Sequence, residues 1–276
     1  MPELPEVETT RRCLLPDFEG ARIVHAEVRR TRMLRRQPRP ADFADRLRDR
    51  RIEGLRRHGK FLIADLAGDI VWVTHLGMSG RVSLRDPGEP EAPHTNVLVR
   101  TDRRREFRLV DPRTFGFVVA YTPDELAVSS LGRLGPDAYT ELPTSRTLHA
   151  LLTGRSAPIK PLLLDQHFLA GLGNIYADEA LHRAGIAPTR AGGSLSMREV
   201  QRLRRGIKTT LEAGIRWGGT SLDDLAYLLP DGRAGEYVSR LRVYGRNGEP
   251  CRICGAEIRR MMLRHRSTHW CPACQR

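Results

Sequence analysis

Apolar and polar residues alternate in short runs through the first half of the chain. Ile23–Val28, Phe61–Leu66, Ile70–Thr74, Val97–Arg100 and Phe107–Val110 each follow a period of two, separated by Gly, Pro and Asp. This is the pattern of half-buried strands. Before them, Glu6 to Leu15 reads as a short helix with Pro5 suited to its first turn. The gap at 35–51 is expected to hold a helix ending in the basic Arg46–Arg51 stretch. Strands in succession without intervening helices argue for a sandwich or barrel and against a parallel α/β sheet.

Between residues 131 and 145 the texture changes. Leu131-Gly-Arg-Leu-Gly-Pro-Asp137 is turn-rich, and helical periodicity follows. Leu148–Leu152, Leu162–Asp165, Asn174–Ala184 and Ser196–Arg216 are the expected helices. In the last, Ser196 can cap, Glu199 completes a capping box, and Gly218-Gly219 ends the pattern. A domain boundary is expected near residue 135. The longest apolar runs, such as Ile70–Val73 and Phe117–Ala120, are strand-sized, well below the roughly 18 residues a membrane span needs. The N-terminus is acidic and proline-rich where a signal peptide would be basic and then apolar, so a cytoplasmic location is expected, with no membrane partner.

Charge narrows the class. The formal net charge is +13 and the pI about 10.4. Such a surplus repels itself unless a polyanion offsets it, and nucleic acid is the usual one. Charge alone would fit ribosomal RNA or an anionic membrane as well. The arginines are grouped: Arg29, Arg30, Arg32, Arg35, Arg36 and Arg39 form one run, and Arg100, Arg103, Arg104, Arg105 and Arg108 another. In the last 37 residues nine arginines face only Glu249 and Glu257. Most members of the first two runs read as solvated surface; the imbalance at the C-terminus is the informative one.

Four of the five cysteines lie in the last 26 residues, as Cys251, Cys254, Cys271 and Cys274. The spacing C-x2-C-x16-C-x2-C is that of a tetrahedral zinc site, and the intervening segment is long enough for a β-hairpin. Gly255 permits the positive φ such a knuckle often needs. Two disulfides are the alternative, but nothing else points to an oxidising compartment. Four thiolates would fill the coordination of one structural zinc ion and leave no place for water. The hairpin carries Arg259, Arg260, Arg264 and Arg266, which suits a DNA backbone or groove, although zinc ribbons also bind proteins. Cys13 stands apart and reads as a buried small hydrophobe.

Several stretches together resemble one family, the formamidopyrimidine-DNA glycosylases, or bacterial 8-oxoguanine DNA glycosylases. They are Met1-Pro-Glu-Leu-Pro-Glu-Val-Glu-Thr9, His75-Leu-Gly-Met-Ser-Gly80, Asp111-Pro-Arg-Thr-Phe-Gly116, Ile159-Lys-Pro161, Gly171-Leu-Gly-Asn-Ile-Tyr-Ala-Asp-Glu179, Val243-Tyr-Gly-Arg246 and the four-cysteine finger. They stand in the family's order along nearly the whole chain. The resemblance implies an α+β fold: an N-terminal β-sandwich with flanking helices (1–135), then a helix–two-turn–helix domain with a base-capping loop (136–240), then a β-hairpin zinc finger (241–276). It also implies double-stranded DNA containing a damaged base as partner, with the duplex in a cleft between the domains. The sequence shows no coiled-coil pattern, and a monomer is expected.

The residue roles it implies stand beside plainer readings. Pro2 usually signals only that Met1 can be trimmed; in the family its exposed secondary amine is the nucleophile. Glu3 could be a helix N-terminal carboxylate; the family reading is a general acid/base at the sugar. Glu6 supports that site or simply belongs to the first helical turn. Lys60, Asn174 and Arg266 match phosphate-binding positions, where a surface charge and an ordinary helix cap would otherwise be read. Met78, Arg113 and Phe115 match the residues that fill the void left by an extruded base, and Met78 and Phe115 could instead be core. His94, Lys160 and Tyr244 are further expected DNA contacts, Lys160 near the damaged base, with a packed core tyrosine the alternative for Tyr244. Thr114 replaces an arginine common in the family. Asp231-Gly232-Arg233 and Gly235 suggest a flexible lid. The sister endonuclease VIII group, with oxidised pyrimidines as substrates, is the near alternative. A catalytically silent DNA-binding protein of the same fold and a ribosomal or transcriptional zinc-ribbon protein are the distant ones.

Overall fold

The computed structural model describes residues 2–222 and 227–276. The chain divides into two compact units: residues 1–133 with 217–238, and residues 134–216 with 239–276.

The first unit opens with helix α1, Leu4–Phe18, which starts two residues before the pattern predicts. Glu6 explains the early start, because its carboxylate accepts the Glu3 backbone N–H at 2.8 Å and satisfies a donor the helix leaves open. Strand β1 is Ile23–Val28, helix α2 is Pro40–Leu47, and strands β2 to β4 are Ile52–His58, Phe61–Leu66 and Ile70–His75. Strands β5 to β8 are Arg81–Arg85, Thr95–Thr101, Glu106–Val110 and Phe117–Tyr121, followed by the short helix α3, Pro123–Ala127. They form two antiparallel four-stranded sheets, ordered β1-β6-β7-β5 and β2-β3-β4-β8. One buried cluster draws residues from all eight strands, and Trp72 of one sheet meets Phe107 of the other edge-on at 5.0 Å. The sandwich expected from the strand pattern is therefore present. α1 adds Val7, Leu14 and Phe18 to the same core.

Strand β2 is hidden in the sequence. A register shift between Ile52 and Gly54 breaks its alternation, and an arginine occupies an inward position. Arg57 is buried because its Nε lies 3.2 Å from the Glu8 carboxylate of α1. Paired charge, not apolarity, fills that site.

The second unit is helical: α4 Ser145–Leu152, α5 Ile159–Leu164, α6 Asn174–Ala184 and α7 Met197–Arg216. The capping box of α7 forms as read, with Ser196 N–H donating to Glu199 at 2.8 Å. α6 and α7 pack closely because α7 carries glycines at the crossing. A Cβ on Gly206 would lie 2.7 Å from the Ala180 carbonyl, and one on Gly214 2.5 Å from the Tyr176 ring. Strands β9 (Arg259–Leu263) and β10 (Arg266–Trp270) complete the unit as a hairpin. Cys13 is partly buried rather than fully so, on the exposed flank of α1. Among the described residues, no helix is long and apolar enough to cross a membrane.

Candidate active site, wedge loop and zinc hairpin

The register of the sandwich decides what meets at one end of the first unit. His58, Phe61, His75 and Phe117 form a row of paired residues across the sheet β2-β3-β4-β8. The turn 59–60, the loop 76–80 and the loop 111–116 therefore leave that sheet at the same end. In the other sheet Arg81, Val110 and Thr95 form the matching row, which brings His94 beside Asp111; the Asp111 N–H donates to the His94 carbonyl at 3.0 Å. α1 runs antiparallel to β2, since Arg11 reaches the Leu55 carbonyl while Glu8 reaches Arg57. Its N-terminus, with Pro2 and Glu3, thus points to the end where Gly59 and Lys60 turn.

Pro2 and Glu3 are both buried, Glu3 to 1% exposure. Glu6 is 1% exposed and joins two elements: besides the Glu3 N–H it accepts the Thr220 N–H at 2.7 Å. Tyr227 donates to the Glu6 carbonyl at 3.3 Å, and burial followed by the nearby Glu6 charge pushes its phenol well above the usual range. Gly219, at φ +82°, is required here, because a Cβ would meet the Glu6 carboxylate at 2.8 Å. The Glu6 signal was legible as a first-turn carboxylate, but its bond to a residue 214 positions away was not.

Lys60 is 8% exposed, in a two-residue turn whose first position is Gly59 at φ +55°, the arrangement of a II′ hairpin. Arg57 holds that turn by donating to the Gly59 carbonyl at 2.9 Å while paired with Glu8. Burial works against the Glu8 charge, yet Arg11 and Arg12 hold its carboxyl below the usual range. A plain surface lysine is excluded by this burial. His75 lies beside it, its ring stacked on Phe117 and its Nδ1 accepting the Gly77 N–H at 3.0 Å. Burial, then the charges of Lys60 and Arg35, lower its pKa to about 4, so the ring is neutral.

Met78, Arg113 and Phe115 stand together at the surface. Met78 and Phe115 are 40% and 39% exposed, which removes the core reading for both. The Arg113 guanidinium lies 4.7 Å from the Phe115 ring centroid and 3.8 Å from the Met78 sulfur. Asp111, fully buried, builds the loop beneath them: it accepts from Ser79 Oγ at 2.6 Å, Gly116 N–H at 2.7 Å and Arg113 N–H at 3.2 Å. Gly77 admits the two loops to each other, since a Cβ there would be 2.4 Å from the backbone of Phe115. Thr114 adopts φ +54°, a strained choice for a β-branched residue. The sequence singled out the wedge side chains; Asp111, the residue that shapes them, carried no signal beyond its place in the motif.

The segment expected to be a loose lid is held at its described parts. Leu84 N–H donates to the Pro230 carbonyl at 2.9 Å, Ser221 Oγ bridges Tyr227 and Gly235, and Tyr227 is 4% exposed. Gly232 takes a positive φ of 93° in its turn. Residues 223–226 of this segment lie outside the described residues.

In the second unit Lys160, expected near the damaged base, is deeply placed. It is fully buried, and its Nζ lies 2.7 Å from Asp178, 2.8 Å from the Ser267 carbonyl and 2.9 Å from Thr268 Oγ1. These contacts tie its ammonium to Asp178 of α6 and to β10. Asp178 also accepts the His269 N–H at 2.9 Å. Asn174 is the first residue of α6, with Gly173 as the cap, and its amide donates to Ser267 at 2.9 Å. Tyr244 is half-buried, its ring against His269 at 4.9 Å, and its N–H reaches the buried Glu179 carboxylate together with those of Arg242 and Val243. Burial raises the Glu179 pKa although the three N–H groups pull it down.

The hairpin these residues fasten turns at Arg264 and His265, both at positive φ, 46° and 62°. Two side-chain-bearing residues in the left-handed region of a tight turn store strain, a feature that clusters at functional sites. Arg259, Arg260, Arg264 and Arg266 are exposed, and among the described residues none of their side chains forms an ion pair. At the base of the hairpin the four cysteine sulfurs lie within 4.8 Å of one another, Cys254 to Cys271 at 3.5 Å and Cys251 to Cys274 at 3.9 Å. A tetrahedron with Zn–S bonds of about 2.3 Å has sulfur–sulfur edges of about 3.8 Å. The cysteines are free rather than disulfide-bonded. Backbone N–H groups of Ile253 and Cys274 point at ligand sulfurs, and Gly255 takes φ +76° in the knuckle. The donor set fits one structural zinc ion.

The first unit carries an exposed Met78, Arg113 and Phe115 cluster and a buried proline N-terminus, and the second a four-cysteine hairpin with exposed arginines. Together with the family matches that follow, these are the features of a DNA-repair glycosylase. Comparison with known proteins gives the family. The descriptions "Formamidopyrimidine-DNA glycosylase N-terminal domain", "Formamidopyrimidine-DNA glycosylase H2TH domain" and "Zinc finger found in FPG and IleRS" match residues 1–118, 134–225 and 248–276. Formamidopyrimidine-DNA glycosylases of Rhizorhabdus wittichii and Pseudomonas putida are 46% and 41% identical, with full coverage of both chains. The MutM (Fpg) protein of Thermus thermophilus superposes with TM-score 0.88 at 38% identity, covering 99% of this chain and 98% of that one. Lactococcus lactis Fpg in complex with DNA containing an abasic site superposes with TM-score 0.90 at 32% identity over the whole of both chains. The chain belongs to the formamidopyrimidine-DNA glycosylase family. It is a DNA glycosylase of base excision repair that acts on damaged bases in DNA, and the zinc-ribbon alternative is set aside.

Proposed function

We propose that the protein removes oxidised purines, 8-oxoguanine and formamidopyrimidines, and then cuts the strand by β,δ-elimination through an iminium on Pro2. The observation that carries the reading is the gathering of Pro2, Glu3, Lys60 and the exposed Met78–Arg113–Phe115 wedge at one end of the sandwich. The neutral Pro2 amine, free once Met1 is removed, attacks C1′ of the deoxyribose as the glycosidic bond breaks and the base leaves with the electron pair. Glu3 supplies the proton on O4′ that opens the ring. Loss of the acidified C2′ proton from the iminium expels the 3′ phosphate, and a second elimination expels the 5′ phosphate.

Lys60 and Arg266 steady the flanking phosphates as charge develops on them. Arg113 hydrogen-bonds the orphaned cytosine while Met78 and Phe115 fill the stack. Asn174 and Tyr244 assist at the backbone, and His94 adds a contact beside the wedge. Lys160 acts indirectly, by holding β10 and hence Arg266. Lactococcus lactis Fpg complexes with DNA containing the formamidopyrimidine lesion Fapy-dG favour purines over the pyrimidine substrates of the sister group. The protein works as a monomer in the cytoplasm. The chemistry is tested by borohydride trapping on duplexes with one 8-oxoguanine opposite cytosine, beside a matched oxidised-pyrimidine duplex. The expected result is an adduct chiefly on the purine strand, lost in Pro2→Gly. Preference for the pyrimidine duplex would move the protein to the sister specificity, and an undiminished adduct in Pro2→Gly would remove Pro2 as the nucleophile.

A further inference from the structure

The second unit contains a depression of about 300 Å³ lined by Arg183, Arg202, Arg205, Gly206, Thr209 and Arg242. Four of the six lining residues are arginines and none is acidic. Arg183 stands at the C-terminal end of α6, nine residues after Asn174, which at the helical rise is about 14 Å away. The pocket's Arg183 side is therefore well away from Asn174, while its Arg242 edge lies two residues before Tyr244.

Arg183, Arg202 and Arg205 are held close and left with spare donors. Gly206 lets α7 approach α6 so tightly that a Cβ would strike the Ala180 carbonyl, and this brings Arg202 and Arg205 of one helix against Arg183 of the other. The Arg183 Nε is buried with no hydrogen-bond partner, and the Arg205 side chain forms no ion pair or hydrogen bond among the described residues. Arg202 uses its Nε on the Ala184 carbonyl at 2.9 Å, and its Nη2 comes only within 4.0 Å of Glu199, a carboxylate already engaged by Arg190 and Ser196. The neighbouring Glu179, one turn before Arg183 on α6, is fully buried and its carboxylate accepts three backbone N–H groups. Like charges on Arg183, Arg202 and Arg205 around one concavity repel one another until an anion enters, and planar guanidinium forks match phosphoryl oxygens in pairs. Thr209 adds a hydroxyl at the rim.

We propose that this pocket is a second anion site, for a compact polyphosphate: a chain of two or three phosphoryl groups, free or carried on a small molecule. Its concavity and volume suit an anion that enters whole, whereas duplex DNA presents its phosphates on a convex rod.

The test is calorimetric titration of the full-length, zinc-loaded protein with inorganic tripolyphosphate at physiological salt. The double variant Arg202→Ala/Arg205→Ala is expected to weaken one binding event at least tenfold. Arg198→Ala on the same helix and Arg266→Ala on the hairpin should leave it unchanged. Arg202 and Arg205 are exposed, and unchanged zinc content and melting temperature would confirm folding; the single charge reversal Arg205→Glu provides a second variant. Equal tripolyphosphate affinity in all variants would overturn the proposal. So would a selective loss of affinity for 30-base-pair over 12-base-pair DNA with tripolyphosphate binding intact, because the arginines would then be an extension of the duplex surface.

Discussion

Replacing Lys160 with methionine separates a fastening role from a base-contacting one. Met keeps much of the stem volume and removes the ammonium. Asp178, fully buried, then loses the cation 2.7 Å from its carboxylate and keeps the His269 N–H and the ring nitrogen at 3.4 Å. Removing one partner of a buried ion pair costs about 3–5 kcal/mol, because the remaining charge has neither water nor a counter-charge. The retained His269 contacts place the expected loss at the lower end, about 3 kcal/mol. With a urea dependence of about 2 kcal/mol per molar, the unfolding midpoint should fall by about 1.5 M. Trp270, at the end of β10, is a local fluorescence probe in the zinc-loaded protein. Adding Asp178→Asn to the methionine variant should recover most of the loss, since the neutral amide no longer needs a cation; the cycle then reports the coupling directly. A midpoint shifted by less than about 0.3 M, with trapping on the 8-oxoguanine duplex strongly reduced, would refute the reasoning and return Lys160 to the DNA.

Phe115→Ala should leave stability within about 0.5 kcal/mol of the parent, because the ring is 39% exposed, while lesion excision in single-turnover assays falls at least tenfold. His75 gives a pH signature. Its folded pKa, about 4, lies below the unfolded value of 6.5, so below pH 6.5 the unfolded chain binds the proton more readily. The stabilisation is complete above about 6.5 and is lost as pH falls toward 4, up to roughly 3 kcal/mol. His182 is lowered to about 4 by burial as well and shares that window. His75→Asn should therefore reduce the slope of that part of the denaturation-versus-pH curve without abolishing it, and an unchanged slope would exclude His75 as a source. Elemental analysis should find one zinc per chain, and its removal by chelator should abolish duplex binding while the β-sheet circular dichroism of the sandwich persists.

Sequence determined the local and the chemically rigid parts of this protein. Period-two strands, the Ser196–Glu199 cap and the C-x2-C pairs are short-range devices, whose physics acts within a few residues. The catalytic candidates Pro2, Glu3 and Lys60 were legible only through the resemblance of their motifs to a known family, since taken alone each had a plainer reading. Tertiary structure decided what those motifs do together. No periodicity reveals that His58, Phe61, His75 and Phe117 share one row and so deliver three loops to a common end, because pairing register is a long-range property. Buried polar groups escaped for a related reason. Arg57, Lys160, Asp178 and Glu179 look like solvated surface until a partner distant in the chain neutralises or hydrogen-bonds them. A charge can be buried only where the fold supplies that partner, and a linear pattern does not contain the partner's address.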